Sequence, residues 1–118
     1  MKKVAIVLAN DLFMISKIKE VGKHLDVEII LCSNKSQLKS ETEKNKLFLI
    51  ILDFDDENIY PLPNIDFLKK HTEGNIQIIG YVNHMRINKV KNEFANMDFD
   101  AIMTRSEFVK KIPDILNA

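Results

Sequence analysis

The chain has no tryptophan, one cysteine, three glycines, three prolines and no surplus of either charge, and each shortage argues against a class of function. Cys32 alone cannot close an internal disulfide; at the end of an apolar run it reads as a small hydrophobe in a reducing cytoplasm. Gly22, Gly74 and Gly80 are too scattered to build a Gly-x-Gly-x-x-Gly or Gly-x-x-x-x-Gly-Lys phosphate loop, and no Gly-x-Ser-x-Gly elbow occurs. Nucleotide-dependent and α/β-hydrolase enzymes are therefore disfavoured. The 17 Lys and Arg balance the 17 Asp and Glu, for a formal net charge of +0, so no global field attracts nucleic acid. Only Arg86 and Arg105 supply the planar fork suited to phosphates and bases. No stretch approaches the roughly 20 apolar residues of a membrane-spanning helix. Lys2-Lys3 before Val4 to Ala9 imitates a signal start, but the run stops at Asn10-Asp11 without a cleavage site. The histidines and Cys32 lack the paired short spacings of a zinc site.

What is present is a set of short apolar runs: Val4 to Ala9, Val27 to Cys32, Leu47 to Leu52, Ile76 to Val82 and Phe99 to Met103. Six consecutive apolar residues without polar alternation, as in Leu47 to Leu52, mark a strand covered on both faces, as parallel sheets require. Between the runs, Leu12, Ile15, Ile18, Val21 and Leu25 repeat at helical spacing. A second helix is predicted from Ser33-Asn34 through Lys46, exposed because Leu38 is nearly its only large apolar residue. Pro61 and Pro63 interrupt a loop after the acidic stretch Phe54 to Asn58. A short third helix starts at Asn64 or Asp66 and ends near His71 to Gly74, where Gly74-Asn75 turns into the fourth strand. Ile87, Val90, Phe94 and Met97 mark a fourth helix. The last helix opens with the capping-box spacing Thr104-x-x-Glu107, with Ser106 an equally good cap, and Pro113 is expected to kink or restart it.

At 118 residues this is a single domain, 1–118, large enough for its own core. The βαβαβαβαβα order implies an α/β fold: a right-handed, doubly wound, five-stranded parallel sheet of flavodoxin-like type, for which we expect strand order 2-1-3-4-5. In such sheets ligands bind at the carboxyl ends of the strands. Asn10-Asp11 follows the first strand and Asp53 the third, so acidic groups collect at that edge. Clustered carboxylates repel one another unless a cation neutralises them, and Mg²⁺ prefers such oxygen ligands. The alternative role for Asp53 is to accept N–H groups of its own loop. A flavin site would need a hydroxyl-rich first loop, which Asn10-Asp11-Leu12-Phe13 does not supply.

With Val7 to Leu12 and Leu49 to Asp53 so placed, the chain resembles the receiver domains of two-component response regulators over essentially its full length. The resemblance implies that Asp53 is the phosphoacceptor, that Asp11, Asp53 and Asn10 hold Mg²⁺, and that a histidine kinase or effector is the protein partner. Because Asn10 carries no charge, Mg²⁺ binding is expected to be weak, with Asp55 or Asp56 compensating. The pattern also departs from the family. Val82 stands where a Ser or Thr would bond the phosphoryl group, and Ile102 stands where an aromatic residue would turn. Arg105 stands near the place of the basic residue, with Thr104 taking it if the register slips by one. His84 and Arg86, after the fourth strand, offer a small-anion or pH-sensing alternative.

The resemblance and its gaps imply a stand-alone, receiver-like, cytoplasmic signalling domain with a degenerate phosphoacceptor site, acting through protein contacts and not as an enzyme. Homodimerisation is one route for its output, and neither nucleic acid nor membrane is a partner. Two alternatives stand beside this: a phosphorylatable single-domain response regulator, and a small-anion or small-molecule sensor. The surface such domains commonly use would draw on Phe94, Met97, Phe108 and Val109, which helical spacing also suits to the core.

Overall fold

Each apolar run finds the same shelter, lying beside another run in a parallel sheet with helices on both faces. The computed structural model describes residues 3–44, 46–59, 65, 68–69 and 76–117. The strands are β1 (Lys3–Leu8), β2 (Val27–Cys32), β3 (Leu47–Asp53), β4 (Gln77–Val82) and β5 (Ala101–Thr104), in the order β2-β1-β3-β4-β5. All four pairings are parallel. The helices with both ends among the described residues are α1 (Leu12–His24), α2 (Lys35–Lys44), α3 (Ile87–Glu93) and α4 (Arg105–Leu116), with a short 3-10 turn at Glu57–Ile59. Among the described residues no helix is long and apolar enough to cross a membrane.

Side-chain alternation along the central strands divides the core in two. Ala5, Val7, Leu49, Ile51, Ile79 and Tyr81 face α1 and α4, where they meet Met14, Ile18, Phe108 and Ile112. Ile6, Leu8, Ile50, Leu52, Ile78 and Val82 face the other way, meeting Leu38, Phe54 and Val90. Cys32 belongs to this second cluster, and burial, with Glu41 nearby, pushes its thiol up to about 11. It behaves as the small hydrophobe its position suggested.

The element boundaries differ from the sequence expectation in instructive ways. The fourth helical pattern ends at Glu93, with Phe94 as its cap residue. Phe94 and Met97 lie in the turn beyond it, still packed on the second core. Phe108 is fully buried and Val109 packs against the first core, so these residues serve the interior. The strand expected from Phe99 begins at Ala101, because the Phe99 N–H turns back to the Met97 carbonyl at 2.9 Å. Pro113 lies inside α4, which continues to Leu116 without a restart. The second helix buries only Leu38 and Thr42. Ile65, Leu68 and Lys69 are helical; the prolines at 61 and 63, the caps at 64 and 66, and the His71 to Asn75 turn lie outside the described residues.

Candidate functional site

The topology brings Asp11, Asp53, the Asn83 to Arg86 turn, Thr104 and Arg105 to the carboxyl ends of β1, β3, β4 and β5. Asp53 closes β3 and is only 4% exposed. One of its oxygens accepts the Asp55 N–H at 2.9 Å, which is the loop-capping role foreseen as the alternative. Two residues beyond Ile51, it points to the α1 and α4 side of the sheet. Its register partner on β4 is Tyr81, which faces the same side. Val82, expected at the site, is buried in the opposite core cluster.

Tyr81 is the residue that the sequence reading missed. Its ring stacks on Phe108 with centroids 4.9 Å apart, and the Arg105 guanidinium lies 5.3 Å from its centroid. The hydroxyl is buried and finds no hydrogen-bond partner among the described residues. Burial first, then the charges of Asp53 and Asp11, hold its phenol well above the usual range. The signal available was that Tyr81 carries the one polar side-chain atom in the stretch Ile78-Ile79-Gly80-Tyr81-Val82, although only the register could aim it.

Asp11 is committed twice. One oxygen caps α1 by accepting the Phe13 and Met14 N–H groups at 3.1 and 3.2 Å, and the other accepts from the Arg105 guanidinium. Burial raises the Asp11 carboxyl, but Arg105, the two N–H donors and the guanidinium charge outweigh it and hold the group below the usual carboxylate range. Asn10 faces elsewhere: its amide donates to Asp56 at 2.7 Å and to the Ser33 carbonyl at 3.4 Å. Asp55 pairs with Arg86 at 2.8 Å and accepts the Asn83 N–H at 2.8 Å. Thr104 ends β5, and its hydroxyl is used in a capping box with Glu107, so it is the cap and Arg105 reaches the site. His84 is exposed in the turn after β4. Arg86 lines a cavity of about 800 Å³ with Phe54, Asp55, Glu57, Lys89, Asn92 and Glu93.

Among the described residues, no three Asp, Glu, His or Cys side chains converge to hold a metal ion. Of the donors that the resemblance would assign to Mg²⁺, Asn10 is turned to Asp56 and both Asp11 oxygens are engaged, which leaves Asp53 with one oxygen on its own loop, and a guanidinium fills the space beside Asp11. In this arrangement the residues do not fit a divalent cation.

Burial also raises the Asp53 carboxyl. The Asp55 N–H and Arg105 pull it down, while Asp55 and Asp11 push it up, and the balance remains above the ordinary value. A carboxyl whose folded-state pKa is raised adds stability below its unfolded pKa and loses it as pH rises through the folded one. Asp53→Asn should therefore be neutral or mildly stabilising at pH 7, with the difference from the parent vanishing near pH 4, the unfolded carboxylate range. Asn keeps an oxygen for the Asp55 N–H. Thermal unfolding at the two pH values checks this, and a loss of several kcal/mol at pH 7 would instead mark Asp53 as an indispensable acceptor.

No family model and no curated protein sequence matches the chain. Solved structures do. A response regulator from Hahella chejuensis superposes with a TM-score of 0.71 at 17% identity, covering 98% of this chain and 92% of that one. The chain has the receiver-domain fold. A second receiver-fold match, a response regulator from Burkholderia pseudomallei with a phosphorylated aspartic acid, a calcium ion and citrate, gives 0.65 at 13% identity over 98% of this chain and 66% of that one. A protein described as an adenylate cyclase from Rhodopirellula baltica gives 0.70 at 8% identity over 99% and 91%. The strand order 2-1-3-4-5 agrees with the expectation.

Proposed function

We propose that this protein is a receiver-like signalling domain whose aspartate site is degenerate and whose output passes through protein contacts rather than substrate turnover. The observation that carries this reading is the Arg105 to Asp11 ion pair, which closes the acidic edge of a receiver fold where the resemblance requires open carboxylates for a metal. Ile102 supports it too: half-buried on β5 against the second core, it provides no ring to turn inward. A ligand shifts a conformational equilibrium only through unequal interaction with its states, and neither Val82 nor Ile102 offers the hydroxyl or the ring with which the resemblance would report a charge placed on Asp53. Leu12, Phe13 and Met85, all strongly exposed at the same sheet edge, offer apolar area for a protein partner.

A second reading, a small-molecule sensor, draws on the cavity beside Arg86, whose volume of about 800 Å³ lies within the usual range for ligand pockets. Its walls carry Asp55, Glu57 and Glu93 against Arg86 and Lys89, a mixed lining better suited to a zwitterion than to a simple anion.

The test is incubation with a small phosphodonor and Mg²⁺, followed by intact mass measurement and by backbone amide NMR with beryllofluoride. The expected results are an unchanged mass, or shifts confined to the neighbourhood of Asp11, Asp53 and Arg105. Stoichiometric modification at Asp53 with changes spread through α3, β5 and α4 would show a working switch and overturn the degenerate reading.

A further inference from the structure

We infer that Arg105 is the resident cation of this site, a guanidinium built into the chain where a receiver-like arrangement would take up a divalent metal, so that Arg105 and Mg²⁺ exclude one another. The inference rests on reading this edge as a receiver-like acidic site, but it concerns what neutralises that site and not what the site signals.

The seat for the guanidinium is constructed from three sides. The Asp11 oxygen that meets it is aimed by the other oxygen, which is pinned to the Phe13 and Met14 N–H groups at the start of α1. Beneath lies the Tyr81 ring, 5.3 Å from the guanidinium carbon, itself backed by Phe108 at 4.9 Å. A cation over an aromatic face gains from the ring quadrupole, most of all where water is thinned. At its root, Arg105 is the first residue of α4, and the Thr104 and Glu107 capping box fixes the backbone there. Asp53 lies register-opposite Tyr81, close enough for its charge to act on Arg105.

The competing ligands have been dispersed as well. Asn10 is bonded to Asp56 and Asp55 to Arg86, and Asp11, the other carboxylate whose charge acts on Asp53, is already held by Arg105. A divalent ion and a guanidinium at that distance repel. Binding of one must displace the other, and such mutual exclusion is a reciprocal coupling.

The experiment titrates Mg²⁺ into the parent protein, Arg105→Ala, Arg105→Gln and Arg105→Lys, following the amides of Asp11 and Asp53 by NMR and the midpoint of thermal unfolding. The parent should show little response, and Arg105→Lys, which keeps the charge but not the planar fork, a response between the parent and the neutral variants. Arg105→Ala and Arg105→Gln should bind Mg²⁺ roughly tenfold more tightly or better, with Tm rising with Mg²⁺ concentration as mass action requires. Asp11→Asn, which removes the shared carboxylate, should gain no affinity. The inference fails if the parent binds Mg²⁺ at Asp11 and Asp53 as tightly as the Arg105 variants. It fails equally if neither neutral variant folds even with Mg²⁺ present, because Arg105 would then supply something no cation replaces. Both readouts are independent of phosphorylation and of partner binding, so a failure here and a failure of the proposed function are distinguishable.

Discussion

Gly80→Ala is expected to destabilise the protein by about 3 kcal/mol, near the upper end of what overpacking a core costs. A methyl group added at Gly80 would lie 1.9 Å from the Phe54 ring and 2.5 Å from a second of its carbons. Phe54 is fully buried and hemmed in by Phe94 at 5.5 Å and Phe99 at 5.3 Å, so it cannot step aside without disturbing both neighbours. Because domains of this kind hold only about 5–15 kcal/mol in total, a loss of that size should appear as a large fall in the denaturation midpoint. Phe54→Leu made in the same chain supplies the check. If the clash is the cause, the double variant recovers part of the loss, a coupling that distant substitutions do not show. A Gly80→Ala protein as stable as the parent would mean that Phe54 has another place to lie. The effect reaches the site, since Phe54 directly follows Asp53 and its N–H bonds to the Tyr81 carbonyl at 2.9 Å.

Phe108→Ala is expected to cost about 3–5 kcal/mol, the usual range for truncating a buried phenylalanine. Phe108 is completely buried in the α1 and α4 core and forms the backing of the Tyr81 ring. Phe108→Leu, which keeps most of the volume, should lose less than half as much. Chemical denaturation measures both. The alanine variant should also broaden or shift the Arg105 side-chain resonances in NMR spectra, because the ring beneath the guanidinium loses its support. A stability loss with the Arg105 signals unmoved would indicate that Tyr81 is held by β4 alone.

The architecture was legible because the information it needs is local. Uninterrupted apolar runs such as Leu47 to Leu52 identify buried parallel strands, and the helical repeat from Leu12 to Leu25 identifies the layer between the first two. Once strands are ordered, the convergence of Asp11, Asp53 and Arg105 follows from topology, and the structure places all three at one edge. What each group does there was not legible. The resemblance gives Asp11 to a metal, whereas in the structure one of its oxygens caps α1 and the other meets Arg105. Val82 was set at the site and Tyr81 overlooked because the aim of a strand residue depends on pairing register, which a single strand does not reveal. The helix after β4 was read too long because Phe94 and Met97 continue the apolar spacing from the turn beyond Glu93. A periodic pattern records which residues are buried, not that the backbone between them is helical.

The thin anchorage of α2 bears on how the domain breathes. That helix buries Leu38 and Thr42, and the Thr42 hydroxyl bonds back to the Leu38 carbonyl at 2.7 Å rather than to the sheet. Local opening starts where few apolar contacts must be broken, so α2 and α3, which bury two residues and one, lift at less cost than α1 and α4. Beneath α2 lies β2, which among the described residues ends the sheet, and an uncovered terminal strand presents free backbone groups to any extended chain. The opposite flank of β1 and β3, clamped by α1 and α4, stays shut in the same excursion. The molecule thus has a closed half that holds the acidic edge and a half that opens, and it is along the β2 margin that unwanted strand exchange between copies would begin.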